Sequence, residues 1–300
     1  MALRDHPFLP SEDGFLALDG ADAFSPEDAK AIIIPFGLEA SVSYGGGTGA
    51  GPEAMINASH EVELFDEELW KEAFRDYGVA TYQPFQTSTD IAPELERLDG
   101  IVEGVLAAGK FPLVFGGEHS LTPGAIRPFV RRYPDLAVLH FDAHADLRDG
   151  YEGEHYSHAS ALRRVLDHDE VQKLVSVGIR NISASEIPYL ESQGERICVH
   201  WGKDRAQWNV DDIVNQLGDR PVYLTFDLDG FDSSVMPATG TPEPGGLFWP
   251  DAMSIIRKTA QTHTIVGADI VELAPIKGFH ASDFLAAKLA HKILNLSLSS

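Results

Sequence analysis

The chain has 300 residues, 44% of them hydrophobic, and a formal charge of −23 from 46 acidic against 23 basic residues. That balance argues against a nucleic-acid binder, which carries a basic face, and no apolar run is long enough to cross a bilayer. Neither nucleic acid nor membrane is expected as a partner. The single cysteine, Cys198, excludes an internal disulfide framework and fits a reducing cytoplasm.

From the N-terminus, MALRDHPFLPSEDGF has no basic start followed by an apolar stretch, so no secretory signal is expected. The first strand candidate is AIIIPFG (31–37). The Gly-rich SYGGGTGAGPEA (43–54) follows; lacking a Lys-Ser/Thr ending and a dinucleotide spacing, it reads as an irregular turn lining a pocket. An amphipathic helix, ELERLDGIVEGVLAAG (94–109), leads to strand candidates FPLVFGG (111–117), LAVLHFDAH (136–144), LVSVGIR (174–180) and RICVH (196–200). Then come a helix DDIVNQLG (211–218), a strand PVYLTFDLD (221–229), a loop stiffened by Pro and Gly, TGTPEPGGL (239–247), and a strand TIVGADIVEL (264–273). An Ala- and Leu-rich helix, SDFLAAKLAHKILNL (282–296), ends the series. Continuous apolar strands alternating with helices predict an α/β fold with a parallel sheet covered on both faces. No repeat, low-complexity block or linker divides the chain, so residues 1–300 are expected to form a single domain.

Ligands in open α/β sheets bind beyond the carboxyl ends of the strands, and three strand ends here carry metal-ligating side chains. VFGGEHS offers His119; HFDAHAD offers Asp142, His144 and Asp146; LTFDLDGFD offers Asp227 and Asp229, with Asp232 in the turn beyond. Period-two spacing in an extended chain puts alternate side chains on one face, so each set is expected to converge. Carboxylates crowded in a buried site need a compensating cation. Four aspartates and two histidines exceed one ion's needs and suit two metals sharing carboxylates. The set is oxygen-rich and free of sulfur, which favours Mn, Mg or Fe, with Ni and Zn also served by imidazole. Glu272, at the end of GADIVEL, either lines the same pocket and selects a cation or is a strand-end charge or cap; its position alone fits both.

In this order, GGEHS, FDAHAD, FDLDGFD, TGTPEPGGL and VELAP resemble the ureohydrolase family of arginases and agmatinases, from GGGTGAGPEA to the final helix. The resemblance implies a three-layer α/β/α sandwich around a mostly parallel sheet, a single ureohydrolase domain, two Mn2+ ions (Ni2+ or Zn2+ less favoured), hydrolysis of a guanidino group to urea, and a homo-oligomer, trimeric or hexameric. It implies that His119, Asp142, Asp146 and Asp227 hold one metal and Asp142, His144, Asp227 and Asp229 the other. Glu272 then receives the guanidinium, Asp146 passes a proton to the leaving amine, and His158, in YSHAS, exchanges protons with solvent. Asp232 falls outside the ligand set and is expected to order its loop.

DLRDGYEGEHYSHASALRRV and TPEPGG look like the agmatinase versions of these loops, which implies agmatine as substrate and putrescine, a polyamine, as product beside urea. Met55-Ile56-Asn57, where many relatives have an Ile-Arg pair, and HAS in place of the commoner HGT depart from the pattern. Guanidinobutyrate, guanidinopropionate or arginine is the alternative, and a carboxylate-ended substrate would need a cation such as Arg148 at the pocket mouth. A one-metal zinc deacetylase or a non-catalytic relative fits less well, because no ligand is missing. Arg163 and Arg164 are expected to follow His158 on a surface helix.

Overall fold

Every residue of the first strand, β1 (Ala31–Phe36), is buried, yet its side chains divide. Ala31 and Ile33 join one apolar core, Ile32, Ile34 and Phe36 another. Neighbouring side chains leave opposite faces of a strand, so the sheet has a core on each side and three layers result. The computed structural model describes residues 2–299.

The other strands are β2 (Val79–Thr81), β3 (Phe111–Gly116), β4 (Leu136–Phe141), β5 (Val171–Ile179), β6 (Ile197–Trp201), β7 (Val222–Asp227) and β8 (Ile265–Val271). They form one eight-stranded sheet in the order β2-β1-β3-β8-β7-β4-β5-β6, and every pairing is parallel. Helices Gly51–Ser59, Val210–Asn215, Trp249–Thr262 and Ala281–Leu298 cover one face through Met55, Ile213, Ile256 and Ile293. Helices Ile91–Ala107, Thr122–Arg132 and Ala161–Val165 cover the other through Leu98, Phe129 and Leu162.

The seven expected strands are present, and the sheet is the parallel, doubly covered one the alternation predicts. Several helices went unread, among them Gly51–Ser59, which begins inside the expected Gly-rich turn, and the two longest, Thr122–Arg132 and Trp249–Thr262. Thr122–Arg132 begins with Pro123 in its first turn and carries Pro128 inside, so its sequence looks broken, and buried Ala125, Ile126 and Phe129 supply its stability. Trp249–Thr262 likewise has a proline, Pro250, in its first turn, tolerated where the N–H would be unpaired anyway. The short strand β2, which pairs with β1, is the eighth. Two expected strands, 136–144 and 221–229, end early, at Phe141 and Asp227, and the residues they shed build the site.

Candidate active site

β3, β8, β7 and β4 lie side by side, although β5 and β6 separate β4 from β7 in the chain. Phe141 pairs with Phe226 across β4 and β7, so the next residues, Asp142 and Asp227, emerge together. Asp227 in turn pairs with Val271 of β8, which brings Glu272 to the same edge. His119 follows β3 in a single 3-10 turn.

The structure brings together the residues that the period-two argument named, but by another means. Beyond Phe141 the chain is no longer extended: Asp142 Oδ1 accepts the His144 N–H at 2.6 Å, and Asp146 sits at φ 53°. Asp227 repeats the device, its Oδ1 accepting the Asp229 N–H at 2.9 Å as a 3-10 turn starts. Short polar side chains that bond their own backbone two residues on fold the chain into a turn. These turns, not a pleated strand, gather the carboxylates.

Two groups result. Nδ1 of His119 lies 3.2 Å from Asp142 Oδ2, 3.1 Å from Asp146 Oδ2 and 3.4 Å from Asp227 Oδ2. Nδ1 of His144 lies 3.0 Å from Asp229 Oδ2 and 3.5 Å from Asp142 Oδ1. Asp142 thus faces both histidines, one oxygen to each. On the far side of the His119 ring, Nε2 is 2.9 Å from the Thr225 hydroxyl, which donates to Asp269 Oδ1 at 2.6 Å. Thr225 is therefore the acceptor for His119, Nε2 carries the hydrogen, and Nδ1 presents a lone pair. That Nδ1 is buried, surrounded by three carboxylates and without a hydrogen-bond partner. A lone pair among anions is unfavourable unless a cation sits between them, so the donor set fits divalent metal.

The electrostatics agree. Burial opposes a charge on His119, but the carboxylates of Asp142, Asp146 and Asp227 outweigh it and hold its pKa well above the ordinary value. Burial, and then the charges of Asp229 and Asp142, push Asp227 well up. Burial followed by the Asp142 charge raises Asp146. The pocket must trap protons unless a cation neutralises it.

Glu272, 8% exposed and at φ 67°, lines this pocket, its Oε1 accepting the His119 N–H at 2.7 Å. Of the two positions open to it, the structure selects the pocket wall. Burial and then the nearby Glu118 charge raise its pKa well above normal. His158 and Arg148 also line the pocket, and the Arg148 guanidinium lies 4.7 Å from the Tyr151 ring centroid. The Gly-rich turn and the TGTPEPGGL loop meet over it, where the Gly45 N–H donates to the Gly240 carbonyl at 3.2 Å. A Cβ on Gly45 would stand 2.8 Å from that carbonyl oxygen, so the closure requires glycine. Asp232 orders its loop, accepting the N–H of Ser234 (3.0 Å), Gly245 (2.6 Å) and Gly246 (3.1 Å). Arg164 is no surface residue: it is 4% exposed and pairs with Asp149 at 2.6 Å, while Arg163 lies 3.5 Å over Tyr189. Their short helix sinks Leu162 and Val165 into the core, and neither arginine belongs to the pocket wall.

Sequence reasoning missed the groups behind the acids. His140 is fully buried, with Nε2 2.8 Å from Asp142 Oδ2 and Nδ1 3.0 Å from the Ser176 hydroxyl. With both nitrogens engaged, it holds Asp142 from behind. Asp269 accepts hydroxyls from Thr225, Tyr223 (2.7 Å) and Thr122 (3.0 Å). A signal was available: His140 and Thr225 each stand two residues before an expected ligand, as polar members of otherwise apolar strands.

The chain matches the profile of the Arginase family over residues 29–295. It is 36% identical to the N(1)-aminopropylagmatine ureohydrolase of Synechocystis sp., over 89% of each chain. It is 32% identical to the agmatinase of Bacillus subtilis, over 83% of this chain and 85% of that one. Among solved structures, the agmatine ureohydrolase of Thermoplasma volcanium superposes with a TM-score of 0.82 at 29% identity, covering 95% of this chain and 94% of that one. By fold, profile and relatives alike, the protein belongs to the arginase family of metal-dependent amidinohydrolases.

Proposed function

We propose that the protein hydrolyses agmatine to urea and putrescine, with two Mn2+ ions held by His119, Asp142, Asp146 and Asp227 on one side and by Asp142, His144, Asp227 and Asp229 on the other. The observation that carries this is Asp142, whose two oxygens face His119 Nδ1 and His144 Nδ1 separately. Bound there, two divalent ions would supply the Lewis acidity that makes water nucleophilic near neutral pH. Their charges would offset the four aspartates, leaving Glu272 as a surplus anion in the wall. A guanidinium carbon resists attack because its charge is delocalised; Glu272 pairs with that cation and fixes its carbon, exchanging free diffusion for one geometry. Asp146 carries a proton to the leaving amine, and His158, at the pocket wall, exchanges protons with solvent.

The names borne by the relatives support an amine-ended guanidine, agmatine or its aminopropyl derivative. A second reading has one observation in its favour: Arg148 stands in the pocket wall, where a guanidino acid would present its carboxylate. The deciding experiment measures urea release by metal-stripped protein, with and without Mn2+, from agmatine, N(1)-aminopropylagmatine and 4-guanidinobutyrate. Metal-dependent urea with the highest kcat/KM for agmatine carries the proposal; a preference for the acid replaces it with the second reading, and no urea from any of them ends both.

A homo-oligomer, trimeric or hexameric, is also proposed. Ile276, Phe279 and Phe284, each at least 40% exposed, cluster before and within the first turn of helix Ala281–Leu298, and apolar surface of this kind favours association. Light scattering on the eluting protein gives the mass. One cysteine and, among the described residues, no helix long and apolar enough to cross a membrane are compatible with a cytoplasmic setting.

A further inference from the structure

Glu118 and Ser120, the remaining polar members of GGEHS, take no part in the chemistry above, yet both are fully buried. The Glu118 carboxylate accepts the N–H of Ala40 (2.9 Å) and Ser41 (2.7 Å) at Oε2, and the hydroxyls of Ser41 (2.9 Å) and Ser120 (2.6 Å) at Oε1. A serine hydroxyl has one hydrogen to give. Ser41 gives it to Glu118 and so turns only lone pairs towards His158, whose backbone N–H it accepts at 2.9 Å. Its Oγ also lies 3.1 Å from Nδ1 of the His158 ring. An acceptor at that distance demands a hydrogen on Nδ1. The opposite nitrogen, Nε2, lies 3.5 Å from the hydroxyl of Ser43, which lines the pocket, whereas Ser41 stands behind the wall.

We propose that Glu118 and Ser41 together set the tautomer of His158, with the hydrogen on Nδ1 and the lone pair of Nε2 turned to the pocket. Ser41 is then a positioning residue: it keeps the ring ready to bind a proton at Nε2 and to release the same proton from Nε2, while Nδ1 keeps its hydrogen and donates it to Ser41 Oγ. A neutral imidazole has one donor and one acceptor nitrogen, and the bond made by one decides the role of the other. The value of this arrangement to catalysis rests on His158 being the proton-exchanging group; the tautomer itself does not.

The test reads both separately. Long-range 1H–15N correlation spectra of the Zn2+-loaded protein, at alkaline pH where an ordinary imidazole is neutral, report which nitrogen of His158 carries the hydrogen. The signal is assigned by its loss in His158→Asn. The hydrogen is expected on Nδ1 in the wild type and in Ser41→Thr, and shared between the nitrogens in Ser41→Ala. With Mn2+, Ser41→Ala is expected to lose kcat on the order of tenfold, less than the whole contribution of a proton-transfer group, with KM and bound metal unchanged and Ser41→Thr restoring most of it. A hydrogen on Nε2 in the wild type overturns the proposal, as does an unchanged Nδ1 hydrogen in Ser41→Ala, and the wild-type spectrum decides even if a variant fails to fold. Full turnover by His158→Asn beside an Nδ1 hydrogen leaves the tautomer standing and removes His158 from proton exchange; an inactive His158→Asn beside an Nε2 hydrogen does the reverse.

Discussion

His140 reaches forward from β4 to Asp142, with Nε2 2.8 Å from Oδ2 and both side chains fully buried. The oxygen it holds is the one that faces His119. Partners behind a ligand fix its orientation, and losing one typically lowers metal affinity about 10–100-fold. His140→Phe, which keeps a ring of similar shape and deletes the hydrogen bond, is expected to fold, to weaken Mn2+ binding by about that factor, and to regain most of its turnover at saturating metal. Titration against a competing chelator checks it. An unchanged affinity would mean that Asp142 is held well enough by the turn alone.

Glu272→Gln preserves size and the contact to the His119 N–H while removing the charge. If the carboxylate receives the guanidinium, removing one partner of a buried charge pair costs about 2–5 kcal/mol, and kcat/KM should fall accordingly. Metal content measured by elemental analysis should not change. A loss of metal in step with activity would place Glu272 among the ligands instead.

Arg148 and the substrate tail must either attract or repel. With an amine-ended substrate, Arg148→Gln removes a like charge, and a screened surface interaction of about 1 kcal/mol predicts a several-fold rise in agmatine kcat/KM and a fall for 4-guanidinobutyrate. The ratio between the two substrates, measured in the same assay, is the readout. A fall for agmatine would show that the Arg148–Tyr151 stack shapes the wall more than it charges it.

Much of this centre was legible because its residues are local. Asp142, His144 and Asp146 occupy five consecutive positions, and composition alone marks them as a cation site. Their geometry was not legible, because the side-chain hydrogen bonds from Asp142 to His144 and from Asp227 to Asp229 override the extended conformation that the apolar run suggests. Groups brought in by long-range register escaped altogether. Asp269 reaches His119 only through Thr225, across a pairing of β7 with β8 that no local pattern announces. Arg164 was misplaced for a similar reason: its burial depends on Asp149 and Asp167 closing around it, and charge alone argued for solvent.

The last helix carries a second buried polar cluster, away from the pocket, that should set the acid limit of the fold. Lys292, 1% exposed, reaches Asp66 at 3.0 Å and Glu67 at 2.9 Å, and Asn295 donates to Asp66 at 2.8 Å. Burial would raise the Asp66 carboxyl, but the Asn295 amide, the Lys292 ammonium and the N–H of Leu69 and Glu68 bring it down to about 2. His291, one residue before Lys292, is pushed down to about 4, by burial first and then by the charges of Lys288 and Lys292, against Asp66 and Glu67. Both folded-state values lie below those of the unfolded chain, so both groups cost stability as pH falls. The unfolded chain takes up the His291 proton below its ordinary value of 6.5, the folded one only near 4, which removes about 3 kcal/mol over that window. Asp66 removes about 2 kcal/mol more between its ordinary 3.8 and about 2. Urea midpoints of metal-free His291→Gln and wild type, taken stepwise from neutral pH down to 4, should converge as the wild type loses its advantage. Asp66→Asn should start about 2 kcal/mol less stable at neutral pH and close the gap only below 3.8. Parallel curves for either variant would mean that the acid limit is set by the pocket carboxylates and not by this helix.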